Sequence, residues 1–321
     1  MSFSMLAKEE ILNVKRNTDA LFCMLCGEIL SAGSLVVSRN KLSFVLTSES
    51  VEFLKHAKQQ LISCFQLKED SIKINENVGH QKTKHELKLS AEDGYRVLEE
   101  LNIVYKTKNG ELEVSKTISP NLVYDEDCKK AYLAGAFCGA GTISVPSEKN
   151  EQTKGYHMEW VASNPEKAET ISEYLAEFGI ISRRVLRGEA VVVYIKESDA
   201  ISRTLVILGA TKNMLSLENR KITRQVRNNI NRQSNCLSAN LDKVMSASAK
   251  QIRAINIIDQ TIGLGSLSDS LKEIAALRKK YPEASLSELA EVMHGKITRA
   301  GISDRLNKLV KLSSTLGEEN E

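Results

Sequence analysis

A chain of 321 residues, 42% hydrophobic and 26% charged, exceeds the usual single hydrophobic core, so two or three domains are expected. The composition is that of an ordinary folded protein and excludes a fibrous or disordered one. The strongest apolar run, Val191–Ile195, has the length of a strand rather than a membrane span, and Lys8, Glu9 and Glu10 interrupt the stretch that a signal peptide needs. The expected location is therefore the cytoplasm, with no membrane partner. The formal net charge of +3 is unevenly spread. Residues 1–210 carry 26 Lys/Arg against 29 Asp/Glu, residues 211–253 carry nine against two, and residues 266–321 balance at nine each.

In chain order, residues 19–33 read as a helix that ends at Gly33, a residue suited to leaving the helical conformation. Strands follow at Leu35–Ser38 and Lys41–Thr47 around an Arg39-Asn40 turn, with Leu42, Phe44 and Leu46 on one face. Ser48 and Glu52 open the next helix, whose stripe is Val51, Phe53, Leu54, Leu61, Ile62 and Phe65. Strands at Ser71–Asn75 and Glu86–Ser90 lead to a helix from Ala91 to Asn102, capped by Ser90.

The same order then repeats. A helix runs from about Lys129 to Ala140, and strands occupy 142–146 and 155–163. Asn164-Pro165 starts a helix with Ile171, Tyr174, Leu175 and Phe178 inward. Strands Ser182–Leu186 and Val191–Ile195 precede a helix from Asp199 to Leu208, ended by Gly209. The pattern is αββαββα twice, over about 1–105 and 125–210. Consecutive hairpins imply antiparallel sheets with helices on one face, an α+β fold.

Two nonapeptides, Leu25–Gly33 (LCGEILSAG) and Leu133–Gly141 (LAGAFCGAG), lie 108 positions apart and share Leu, Gly, Ala and Gly in register. Gly27, Gly33, Gly135, Gly139 and Gly141 weaken an isolated helix, by up to ~1 kcal/mol each, but suit two helices crossing with their backbones nearly in contact. The pair resembles the LAGLIDADG signature of homing endonucleases at the positions that pack and at none that cut. The acid that holds the divalent metal in that family, the eighth residue, is here Ala32 and Ala140; the sixth, usually Asp, is Leu30 and Cys138. Metal-assisted cleavage needs hard oxygen ligands on the scissile phosphate. Glu28 lies on the face of Ala32, but Ala136 stands at its equivalent, so no catalytic residue and no metal site is expected. Cys23-x-x-Cys26 has no second pair at zinc-finger spacing, and reduced buried thiols are expected. His157 and Glu159 share a strand face and read as a sheet pair rather than metal ligands.

Residues 211–265 read as a basic helical linker. Arg220, Arg224, Arg227 and Asn231 share one face at i, i+4, i+7 and i+11, suited to tracking phosphates, with Lys221, Asn228 and Arg232 beside them. The alternative is a solvated linker. Residues 266–321 read as a helix-turn-helix. Leu271, Ile274, Ala275 and Leu277 place a helix before Tyr281-Pro282; Ser285 and Glu288 form a capping box before Leu286, Leu289, Ala290 and Met293; His294-Gly295 makes the turn. A third helix begins near Thr298, with Ile302, Leu306, Leu309 and Val310 inward. In such motifs the second helix enters the major groove, so Thr298, Arg299, Ser303, Arg305 and Asn307 are candidates for base or phosphate contact and Lys296 and Lys308 for phosphates. Asp304 is awkward there unless it accepts from a cytosine or pairs with Arg305.

A degenerate LAGLIDADG pair, a basic Asn-rich linker and a helix-turn-helix together resemble the WhiA family of Gram-positive bacteria. The segments that carry this are Ala131–Pro146, Asn219–Asn240 and Ser285–Leu309, and the likeness spans nearly the whole chain. It implies a DNA-binding transcriptional regulator without nuclease activity, nucleoid-associated, with double-stranded DNA as partner, linked to sporulation in some lineages and to cell division and chromosome segregation in others. An adaptor whose C-terminal domain binds a sigma factor or RNA polymerase is the alternative. An active metal-dependent endonuclease is a third reading.

Overall fold

The computed structural model describes residues 2–38, 41–78, 83–146 and 155–318; the expected Arg39-Asn40 turn lies outside them. The chain divides into two compact units, Met1–Lys221 and Ile222–Glu321.

The first unit opens with α1 (Phe3–Leu12), which the sequence reading did not anticipate. Phe3, Ala7 and Ile11 recur every four residues and are buried, while Lys8, Glu9 and Glu10 point elsewhere. Next come α2 (Thr18–Ala32), β1 (Gly33–Ser38), β2 (Lys41–Ser48), α3 (Val51–Phe65), β3 (Ile72–Val78), β4 (Thr83–Leu89) and α4 (Ala91–Glu100). A small hairpin, β5 (Val104–Lys106) with β6 (Leu112–Val114), is a second unanticipated feature. The second repeat is α5 (Glu126–Ala140), β7 (Gly141–Ser144), β8 (His157–Ala162), α6 (Pro165–Glu177), β9 (Arg183–Arg187), β10 (Ala190–Ile195) and α7 (Ser198–Leu208). The fold is thus α+β and duplicated. Its two four-stranded antiparallel sheets share one topology, β1-β2-β4-β3 and β7-β8-β10-β9.

Several boundaries differ from expectation for local reasons. The cap of α3 is Ser50, whose Oγ accepts from Phe53 N at 3.3 Å, and not Ser48. Gly33 does not turn left-handed. Its φ of −89° and ψ of 145° carry α2 straight into β1, as Gly141 carries α5 into β7. Glycine is needed at 33 for space, since a Cβ would lie 2.3 Å from Ile29 O.

α2 and α5 form the centre of the unit, and they approach backbone to backbone. A Cβ on Gly27 would meet Tyr132 O at 2.4 Å, and one on Gly135 would meet Met24 O at 2.0 Å. Around this crossing a single core collects Leu25, Phe44, Leu54, Leu133, Phe137 and Trp160 from both repeats.

α8 (Thr211–Thr261) is one helix of 51 residues, and the boundary between units falls inside it. Its first turn is capped from α1: Glu10 accepts from Lys212 N at 2.7 Å and Asn213 N at 2.9 Å. The second unit continues with α9 (Asp269–Lys280), α10 (Leu286–Val292) and α11 (Arg299–Glu318). Its core joins Ile274, Leu289, Ile302, Leu306 and Leu309 to Ile255 and Ile258 of α8. The helix-turn-helix body therefore begins before residue 266, inside the segment read as linker.

Candidate nucleic-acid interface

The capping box at Ser285 is formed in both directions, with Ser285 N donating to Glu288 at 2.6 Å and Glu288 N to Ser285 Oγ at 3.3 Å. α10 then ends in two consecutive left-handed residues, His294 (φ 50°) and Gly295 (φ 73°). Gly295 N donates to Ala290 O at 3.3 Å, which closes the turn. A second device was not legible in sequence. Arg278 is 2% exposed and donates from Nη1 to Ala284 O at 2.6 Å, pinning the segment between α9 and α10.

α11 buries Ile302, Leu306 and Leu309 and presents the opposite side. Lys296, Thr298, Arg299, Asp304, Asn307 and Lys308 are exposed, and Ser303 and Arg305 are half-buried at the flanks. Thr298 has a structural duty, since its Oγ1 accepts from Gly301 N at 3.2 Å at the start of the helix. Among the described residues Asp304 and Arg305 form no ion pair, so of the two ways to accommodate Asp304 the pairing with Arg305 is not formed.

On α8 the structure separates the basic cluster into two groups. Arg224, Arg227, Asn228, Asn231 and Arg232 are exposed. Arg220 and Lys221 are engaged within the first unit. The Arg220 guanidinium lies over the Phe3 ring, 5.4 Å from its centroid. Lys221 pairs with Asp199 and with Glu218, the latter at 2.8 Å. Burial lowers the Lys221 pKa, but the hydrogen bonds to Asp199 and Glu218 outweigh it and hold the ammonium above its ordinary range. These two side chains are thus removed from the free phosphate-facing row that the spacing suggested.

The ends of α2 and α5 carry the nonapeptide positions at which the resemblance would place metal-holding acids. Ala32 and Ala140 are half-buried and offer no ligand. Glu28 is fully buried, and neither of its carboxyl oxygens has a hydrogen-bond partner. Burial raises its pKa well above the ordinary carboxylate value, partly offset by Arg16. Nothing in this donor set fits a divalent ion. His157 and Glu159 meet at 2.9 Å, and Arg187 bonds the same carboxylate at 3.2 Å, an ion-paired group on the sheet. The six cysteines are free, and Cys23, Cys26, Cys128 and Cys138 are buried.

Glu28 permits a stability test. A native pKa raised above the unfolded value of about 4.3 means that folding favours the proton. Its contribution is fully present below that pH and is lost as pH rises towards the native pKa. Glu28→Gln should therefore flatten the decline in urea midpoint between pH 5 and pH 8. Glu28→Met, which also removes the two unpartnered oxygens, should stabilise the first unit by ~1–3 kcal/mol at neutral pH. Parallel pH profiles for parent and both variants would show that Glu28 is not the buried acid described.

Two family models match the chain: a WhiA LAGLIDADG-like domain over residues 129–227 and a WhiA C-terminal HTH domain over residues 230–313. A probable cell division protein WhiA of Clostridium tetani is 34% identical over 321 residues, covering 99% of each chain. The chain belongs to the WhiA family. A relative of the same description from Clostridium perfringens is 32% identical over 100% of both chains. The crystal structure of full-length WhiA from Thermotoga maritima matches with a TM-score of 0.58 at 21% identity, covering 98% of this chain and 99% of that one. The LAGLIDADG-like first unit and the helix-turn-helix second unit are therefore the architecture of this WhiA protein. Among the described residues no helix is long and apolar enough to cross a membrane.

Proposed function

We propose that this WhiA protein is a sequence-specific, double-stranded-DNA-binding transcriptional regulator that does not cleave DNA and acts in cell division. The observation that carries the reading is α11, which buries Ile302, Leu306 and Leu309 while presenting Arg299, Asn307 and Lys308 behind a formed capping box and left-handed turn. A short helix pair with such a second helix is the usual reader of a major groove. The exposed row Arg224, Arg227, Asn228, Asn231 and Arg232 supplies phosphate contacts that hold register without reading sequence. The duplicated unit retains the helix crossing of a nuclease and lacks its ligands at Ala32 and Ala140. Support for the role in cell division comes from the names of the two clostridial relatives.

The exposed and unpaired Asp304 favours a second reading, in which α11 docks on a sigma factor or RNA polymerase rather than on phosphate-lined DNA. One experiment separates them. After genome-wide mapping of bound sites, Arg299→Ala is compared with the parent on a mapped site and on random DNA, with Mg²⁺ present throughout. Loss of a bidentate Arg–guanine contact removes ~1–3 kcal/mol of discrimination, so the specificity ratio should fall by about tenfold or more while the DNA stays intact. An unchanged ratio, together with loss of a polymerase or sigma-factor pull-down, would favour the adaptor. Nicking by the parent that Glu28→Gln abolishes would establish an endonuclease.

A further inference from the structure

In the first unit a cavity of about 170 Å³ opens where the end of α2 meets the start of α6. Most of its wall is hydrocarbon, from Leu35, Phe44, Ile103 and Val114. One end is different in kind. Lys167 lies there, its Nζ donating to Leu30 O at 2.6 Å and to Ser163 Oγ at 2.8 Å. Both acceptors are neutral, and among the described residues no carboxylate pairs with Lys167. One of the three ammonium donors and its whole charge are left uncompensated. Asn164 and Ser115 stand beside it, and α6 begins there with the positive end of its dipole. Lys116 also reaches this end, its charge offset by Glu166 at 2.9 Å. Among the described residues no Asp or Glu lines the cavity.

The duplicated fold contains its own control. At the corresponding junction, where the end of α5 meets the start of α3, a cavity of about 140 Å³ is floored by Lys8. Its Nζ donates to Cys138 O at 3.0 Å, from the nonapeptide position equivalent to Leu30. Glu9 and Glu52 line this second cavity, so carboxylates stand near its lysine. The second cavity is walled in part by α1 and has carboxylates in its lining, whereas the first has none.

The geometry points to a binding site at the α2–α6 junction for one small amphipathic carboxylate, its carboxyl group on Lys167 and a short branched hydrocarbon tail against Phe44 and Ile103. An apolar cavity of about 150 Å³ accommodates a benzene ring, so the space here suits about six or seven heavy atoms. Burying the carboxylate is favourable because the half-buried Lys167 is already partly desolvated and supplies the paired charge. A neutral alcohol of the same shape leaves that charge uncompensated, and an amine adds to it.

The test is calorimetric titration of the full-length protein with 3-methylbutanoate, 3-methylbutan-1-ol, 3-methylbutan-1-amine and acetate. The carboxylate with its tail should bind at a single site and about tenfold or more tighter than each of the other three. Lys167→Met should weaken it by about tenfold or more. Lys167 also holds the end of α2, so a loss there could reflect loosened structure. Leu35→Trp supplies an independent arm, because Leu35 is 43% exposed at the rim and a larger ring there fills the space while leaving the Lys167 bonds intact. Leu35→Trp should also weaken 3-methylbutanoate binding, with the melting profile unchanged. Equal affinity for the alcohol and the carboxylate, binding that survives Leu35→Trp, or binding abolished by Lys8→Met instead, each overturns the assignment.

Discussion

Gly135→Ala should lower the stability of the first unit by ~3 kcal/mol or more, although alanine is the better helix former by ~1 kcal/mol. The added Cβ would sit 2.0 Å from Met24 O and 3.1 Å from Glu28 N. Both are backbone atoms of α2, so no rotamer change relieves the overlap and the two helices must separate. Gly27→Ala should behave alike, since its Cβ meets Tyr132 O at 2.4 Å and Ala136 N at 2.8 Å. Separation by either substitution makes room for the other, so the double variant should cost much less than the sum. Gly139→Ala is the comparison, because its nearest neighbour is the Ser31 side chain at 3.1 Å and a small adjustment suffices. Urea midpoints of the four variants decide the matter. A Gly135→Ala protein as stable as Gly139→Ala would mean that the helices do not cross at this distance.

Replacing Arg224 and Arg227 together by Ala should weaken binding to every DNA sequence by about a hundredfold, taking about tenfold for each charged hydrogen bond lost. The slope of log affinity against log salt should fall by up to ~1.8, since each phosphate contact contributes about 0.9. Arg220→Ala and Lys221→Ala should leave the slope nearly unchanged. The first side chain already lies on Phe3 and the second is held by Asp199 and Glu218. Filter binding or fluorescence anisotropy from 50 to 200 mM salt, on mapped and random DNA, reads both quantities. If Arg220→Ala changed the slope as much as Arg224→Ala, the guanidinium would have to leave Phe3 on the DNA.

The repeat architecture was legible because its signals are local. Glycine pairs, caps such as Ser90 and Asn164, and apolar rows such as Leu42-Phe44-Leu46 each act within a few residues; the structure forms both caps and buries Phe44 and Leu46, with Leu42 half-buried and Ser43 buried as well. α1 escaped because its three charged residues were weighed only as a break in hydrophobicity, while its apolar row sits on the other side. The β5–β6 hairpin escaped because its strands have three residues each and only Val104 is buried, so there is no alternation to find. The start of the second unit was misplaced because charge, rather than the Ile255 and Ile258 spacing, defined the linker. At the candidate interface, sequence identifies basic residues but not their partners. Asp199 is 22 positions from Lys221 and Phe3 is at the other end of the first unit, so only the fold reveals which cations are occupied.

The middle of α8 has an energetic consequence of its own. From Ile222 to Lys243 every side chain is exposed, while Leu217 before this stretch and Ser248 after it are buried. A helix usually draws most of its stability from packing an apolar face, and its own backbone bonds are marginal in water. This stretch is therefore held mainly by bonds between one turn and the next, and by the packed turns that prevent fraying at either side. Its amides open by local fluctuation, at a free energy well below that of either core. Amide hydrogens here should exchange early even when the protein as a whole is stable, which native-state hydrogen exchange would read. The residues offered to phosphates lie within this easily opened stretch, so a bound duplex would act on the winding of the helix as much as on its charges.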